Sequence, residues 1–209
     1  MKELLTNLAL FVVFCIAFSG LTSCGGSQAN ISNPNTANAV ANANPATPAT
    51  AENKSSGYPP LAAGLAEADL ELLDGTKTKV SDHKGKVVLL NIWGIWCGPC
   101  RQEMPHLVAM QQQYGDKGFE ILGLNIGDQD GGPENVEDIK KFSTKMGLNY
   151  TLARIDTAGV RQFYRVTSQQ VVPQSLLIDR EGHLRGMFIG GGSSVITKLQ
   201  EVLDKTMAE

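Results

Sequence analysis

The sequence predicts an α/β fold: a sandwich with a central mixed β-sheet, helices on its faces and a β-hairpin at its front. Three observations predict it. Lys86–Trp93 (KVVLLNIW) and Phe119–Ile126 (FEILGLNI) are nearly continuous in apolar and β-branched residues, as strands buried on both faces are. Between and after them, apolar residues recur at helical spacing. Two late strands flank the short turn Arg180–His183 (REGH), which adds an antiparallel edge.

Each element follows in chain order. Residues 69–80 (DLELLDGTKTKV) read as a hairpin around Asp74-Gly75. After the strand at 86–93, the pattern turns helical at Cys97, with Met104, Leu107 and Val108 on one face. Residues 131–147 (GGPENVEDIKKFSTKMG) read as a helix. Pro133 sits near its start, acids fill its first turns and Gly147 stops it. Val136, Ile139, Phe142 and Met146 form its inner face. YTLARID (150–156) is a short strand and TAGVRQFYRV (157–166) holds a short helix. SLLID (175–179) and LRGMFIG (184–190) form the late hairpin. Ser193 or Ser194 is expected to cap a final helix with Val195, Ile196, Leu199, Val202 and Leu203 inside. Strand–helix–strand units imply parallel pairing around this core.

The chain ends divide the rest. The apolar run Leu8–Phe18 is too short to span a bilayer, which takes about 20 apolar residues. It has the length of a signal-peptide core. LTSC, Leu21–Cys24, resembles the lipobox of bacterial lipoprotein signals, which implies lipidation of Cys24 and attachment to a membrane. Residues 1–23 are then a signal peptide, and 24–57 the lipidated cysteine and an Asn/Ala/Pro/Thr-rich tether. That stretch cannot bury enough apolar surface to order itself. As a coil it would span on the order of 30 Å; a glycosylated stalk is the alternative. Residues 58–209 make one domain. A net charge of −3 with scattered basic residues gives no footprint for nucleic acid.

The chain has four cysteines, and Cys97 and Cys100 lie two residues apart behind the first buried strand. Three chemistries could use such a pair. A zinc site takes about four ligands, yet the domain has no other cysteine, and His83, His106 and His183 stand apart. No metal and no cofactor is therefore expected. A structural bridge across so short a loop gains little. A redox centre explains more. At a helix start, unpaired N–H groups and the positive dipole end favour the thiolate of Cys97. Cys100, one turn on, can resolve a mixed disulfide. Pro99 suits a first-turn position. Cys15 leaves with the signal and Cys24 is acylated, so no spare thiol remains.

IWGIWCGPC behind a buried strand resembles the thioredoxin superfamily. GKVVLLNIW…WCGPCRQEMP, with VVPQSLLIDREGHLRG further on, is similar to its membrane-tethered TlpA/ResA-like branch over roughly residues 65–205. The resemblance implies a thioredoxin-like fold, an exposed attacking Cys97 and a buried resolving Cys100. Pro105 matches the proline inside the first helix. Pro173 matches the cis-proline, and Val172 before it offers backbone groups to a substrate strand. Glu134–Tyr150 corresponds to the insertion typical of the branch. Trp96 and Ile95 would give apolar contacts to partners, with core packing the alternative for Ile95, where the family often has a small or polar residue. Gln174 departs from the usual Thr or Ser, which bears on substrate preference.

The resemblance further implies a membrane-anchored thiol–disulfide oxidoreductase of the cell envelope, facing the extracytoplasmic side. It would reduce disulfides in extracytoplasmic proteins, among them apocytochromes c before haem attachment, with electrons from a membrane thiol donor. A disulfide oxidant or isomerase is the alternative. A peroxiredoxin-type peroxidase is a further one, although Gly94 stands where its Thr or Ser would be. Thioredoxins often carry a buried Asp six residues before the first cysteine; here it is Asn91. Glu103, three residues after Cys100, stands where the branch has an acid. It is expected to replace that Asp as proton acceptor, against the alternative of a solvated surface charge.

Overall fold

The computed structural model describes residues 57–209. The expected signal segment, Cys24 and all but the last residue of the tether lie outside the described residues. A short helix α1 (Ala63–Ala66) precedes the hairpin β1 (Asp69–Leu72) and β2 (Lys77–Lys79). Then come β3 (Val87–Trp93), α2 (Gly98–Tyr114), β4 (Phe119–Asn125), α3 (Val136–Met146) and β5 (Thr151–Ile155). The chain closes with α4 (Thr157–Thr167), β6 (Gln174–Ile178), β7 (Leu184–Ile189) and α5 (Ser193–Met207).

One seven-stranded sheet runs in the order β2-β1-β5-β4-β3-β6-β7. β3, β4 and β5 are mutually parallel neighbours, as their crossover helices require. β6 does not extend that series. It crosses to the far side of β3 and pairs with it antiparallel, carrying β7 as the edge. The front hairpin closes the other side, β1 lying antiparallel to β5.

Every residue of β3 is buried, and its alternation sorts the molecule into two layers. Val87, Leu89 and Trp93 face the layer of α2, α3 and α5, with Leu107, Ile139 and Leu203. Val88, Leu90 and Ile92 face the layer of α1 and α4, with Leu65 and Phe163. Each fully buried leucine or isoleucine contributes roughly 1.5–3 kcal/mol by its removal from water. Asn91 shares the parity of Leu89 and Trp93, so the strand delivers one polar side chain beneath α2.

Two helix starts differ from the sequence expectation. α3 begins at Val136, with Asn135 as its cap accepting from the Glu137 N–H at 2.8 Å. Pro133 and Glu134 therefore stay in the connecting segment. α5 is capped by Gly192 at φ 109°, not by a serine. Glycines make that turn in a conformation side chains disfavour, which leaves Ser193 inside the first turn.

Candidate active site

Cys97 caps the N-terminus of α2 and is disulfide-bonded to Cys100, their Cα atoms 5.3 Å apart. The Cys97 sulfur accepts the Cys100 N–H at 3.2 Å. It therefore sits against an otherwise unpaired donor at the positive end of the helix. Pro99 lies within the first turn and costs no hydrogen bond there. Pro105 lies inside the helix, where it withholds an N–H from Arg101.

The exposed Cys97 expected from the resemblance is corrected in part. In the oxidised pair Cys97 keeps only 4 % exposure and Cys100 none. The order of accessibility stands, and Ile95, Trp96 and Val172 pack against the cluster that holds both cysteines. Ile95 thus satisfies its packing reading, while Trp96 and Ile95 stay half-buried beside Cys97. The Trp96 indole donates to the Gly127 carbonyl at 2.8 Å and folds back over Gly94. A Cβ on Gly94 would lie 2.5 Å from Trp96 Nε1.

The Val172–Pro173 bond is cis. Pro173 is buried, and its carbonyl accepts the Gly190 N–H at 2.9 Å. Gly191 backs against both Pro99 and Pro173, so the two prolines flank one glycine beside the pair. Gln174 does not face a partner. It is 1 % exposed and its amide donates back to the carbonyls of Gln169 at 3.1 Å and Val171 at 2.6 Å. It braces the loop that presents Val172.

Beneath the pair lies Glu103, 5 % exposed, so the solvated-surface alternative falls. Asn91 Nδ2 donates to Glu103 Oε1 at 2.7 Å and to Ser175 Oγ at 3.0 Å. Burial pushes the Glu103 carboxyl up to about 7, against the pull of the Asn91 hydrogen bond. Burial, then the Glu103 charge, pushes the neighbouring Tyr150 phenol up as well. A carboxyl poised near neutrality one helical turn from Cys100 can take or return a proton there.

A second buried carboxylate, Glu134, holds the turn before Cys97; the sequence reading placed it only as a helix-start acid. Its signal was weak, a lone acid next to a proline in an irregular segment. A cluster that could hold a cation, Asp179, Glu181 and His183, lies at the other end of β6. Its buried Asp179 already accepts the N–H groups of Glu181 and His183, at 3.2 and 2.7 Å, which fastens the β6–β7 turn. No helix among the described residues is long and apolar enough to cross a membrane.

The AhpC/TSA family profile matches residues 64–187. The chain is 33% identical over 132 residues to the thiol-disulfide oxidoreductase ResA of Geobacillus kaustophilus, covering 62% of this chain and 71% of that one. It is 32% identical over 121 residues to the thioredoxin-like protein YneN of Bacillus subtilis, covering 58% and 66%. A crystal structure of a putative thiol:disulfide interchange protein DsbE from Chlorobium tepidum superposes with a TM-score of 0.58 at 29% identity, covering 72% of this chain and 96% of that one.

Proposed function

We propose, from the premise that the chain belongs to the AhpC/TSA family and is a thiol–disulfide oxidoreductase, that it works as a membrane-anchored reductase of disulfides in extracytoplasmic proteins. The observation that carries this reading is the Cys97–Cys100 disulfide at the start of α2, above a buried carboxyl. In the reduced protein the Cys97 thiolate attacks one sulfur of a partner disulfide. A new S–S bond forms and the partner's other sulfur leaves as thiolate. Glu103 takes the Cys100 proton, directly or through water. The Cys100 thiolate then attacks Cys97 Sγ, closes the pair and releases the partner's second thiolate. Two electrons pass to the partner, and its thiolates collect two protons. A thiol donor at the membrane must return the electrons.

Val172 and the cis-proline loop offer backbone groups to the partner strand, with Trp96 and Ile95 as the apolar flank. The Gly98-Pro99 dipeptide resembles that of reducing thioredoxins. The crowding at Gly94 supports exchange over peroxide chemistry, because a threonine there would collide with the Trp96 indole. The partner class we favour is apocytochromes c, whose cysteine pairs must be reduced before haem attachment.

Trapping tests this. In cells carrying Cys100→Ser, proteins held by Cys97 through mixed disulfides are expected to be exported proteins with paired cysteines, c-type apocytochromes prominent among them. A trapped set without cytochromes would remove that partner class. A set of cytosolic proteins would remove the location. The anchor is tested separately. Cys24→Ala is expected to move the protein from the membrane to the soluble fraction with its insulin-reducing activity intact. A variant still firmly membrane-bound would place the anchor elsewhere.

A further inference from the structure

The stretch between β3 and α2 is a turn whose polar groups are met from outside the sheet. Ile95 has left the strand, and its N–H points to Glu134, 3.0 Å from Oε1 and 3.4 Å from Oε2. Glu134 is 9 % exposed, and Asn125 at the end of β4 donates to its Oε2 at 2.6 Å. Asn125 is itself fixed, its Oδ1 accepting the Gly127 N–H at 3.1 Å. On the other side of the turn, Arg101 Nη1 lies 3.4 Å from the Ile95 carbonyl. The Trp96 indole is tied to Gly127. Of these ties, only Glu134 brings a buried charge.

We propose that Glu134 is a positioning residue for Cys97: its carboxylate holds the Gly94–Trp96 turn that presents the attacking sulfur to a partner disulfide. This rests on the thiol–disulfide exchange reading above. In the oxidised protein the S–S bond already ties Cys97 to α2. Once the pair is reduced, that tie is gone, and the contacts of the turn join the α2 cap, where the Cys97 carbonyl accepts the Arg101 N–H at 3.2 Å, in setting where the Cys97 sulfur lies. The effect of Glu134 therefore falls on the attack step. A charge-assisted hydrogen bond to a backbone N–H is stronger and more directional than a neutral one, which suits a short turn outside the sheet.

The charge has a second consequence. An anion held on the Ile95 N–H, the backbone donor two residues before Cys97, disfavours the Cys97 thiolate. Glu134 feels several neighbours: Asp128 in its own segment and Asp138 on α3 repel it, Asn125 and the Ile95 N–H stabilise its charge, and burial outweighs them to raise its pKa. Arg101 faces the turn from α2, and the buried Glu103 of the same helix pairs with Asn91 of β3.

The test uses the full chain, as wild type, Glu134→Gln and Glu134→Ala, with Asp138→Asn as an exposed-charge control. Glutamine keeps an oxygen for the Ile95 N–H but sets an NH₂ group against that of Asn125. We expect kcat/KM for insulin-disulfide reduction to fall about 10-fold in Glu134→Gln and further in Glu134→Ala, since small misplacements of reacting atoms carry such costs. The pH midpoint for iodoacetamide alkylation of Cys97 should move to lower pH in both, and Asp138→Asn should match wild type. If Glu134→Ala fails to fold, Glu134→Gln decides. Unchanged kcat/KM and an unchanged alkylation midpoint in Glu134→Gln overturn the proposal. Activity loss accompanied only by a lower Tm, with the midpoint unmoved, also overturns it and leaves a structural strut. A wild-type protein unable to reduce insulin would instead overturn the exchange reading.

Discussion

Cys97→Ser abolishes disulfide reduction, lowering insulin turnover by on the order of 10³-fold or more, because a serine hydroxyl cannot supply the thiolate nucleophile. The geometry selects this cysteine over its partner. Cys97 is the helix cap, its sulfur accepts the Cys100 N–H, and it retains the little accessible surface the pair has. Cys100→Ser has a different signature. Attack by Cys97 survives, the resolving step is lost, and a mixed disulfide accumulates. Non-reducing gels of each variant incubated with insulin check both outcomes. Mixed disulfides accumulating in Cys97→Ser instead would reverse the roles.

Glu103→Gln makes the protein more stable and less active. The folded carboxyl titrates at about 7, above its ordinary 4.5. A raised pKa means that folding favours the protonated form. That contribution is fully present below pH 4.5, fades as pH rises through 7 and is gone above it. The rise amounts to about 3 kcal/mol. Glutamine, neutral at every pH, is therefore expected to match wild type at pH 4 and to exceed it by about 2–3 kcal/mol at pH 8. Urea unfolding at pH 4, 6 and 8 checks this. Activity moves the other way, because the proton acceptor is lost: kcat/KM should drop about 10²-fold at pH 7. The limb of the pH–rate profile near 7 should vanish. The loss of a nearby negative charge should also lower the cysteine titration in pH-dependent alkylation. Unchanged thiol titration together with unchanged reduction rates would sink the proton-acceptor role.

What was legible in the sequence was local. The nearly continuous apolar runs of β3 and β4 marked the sheet centre, since burial on both faces leaves little room for polar residues. The cysteine spacing and Pro99 marked a helix start. The resemblance supplied Pro173, whose cis bond no periodicity could show. What stayed hidden depended on where irregular segments lie in space. Glu134 became a partner of Ile95 because the helix begins two residues later than the acids suggest. Gln174 pointed towards specificity by position alone, yet its amide turns inward to hold Gln169 and Val171. Glu103 was ambiguous because a helical period places it near Cys100 without saying what covers it. Its partner is Asn91 on β3, which Ser175 on β6 holds in turn. Ser193 failed as a cap because the glycines before it had already made the turn.

The alternation along β3 has a consequence for anyone who would redesign this domain. The cysteines, Glu103 and their neighbours belong to one layer, and the layer of Leu65 and Phe163 contains none of them. Among the described residues, Val172 alone packs against both clusters. The rear layer is thus insulated ground, open to repacking for thermostability or for grafting onto another scaffold. Its apolar contact with the reactive face runs through the residue that precedes the cis-proline, and Gln174, on the rear-layer parity of β6, braces that residue's loop, so a library that varies the rear layer and keeps Val172 and Gln174 should yield stability variants with their insulin-reduction rates unaltered.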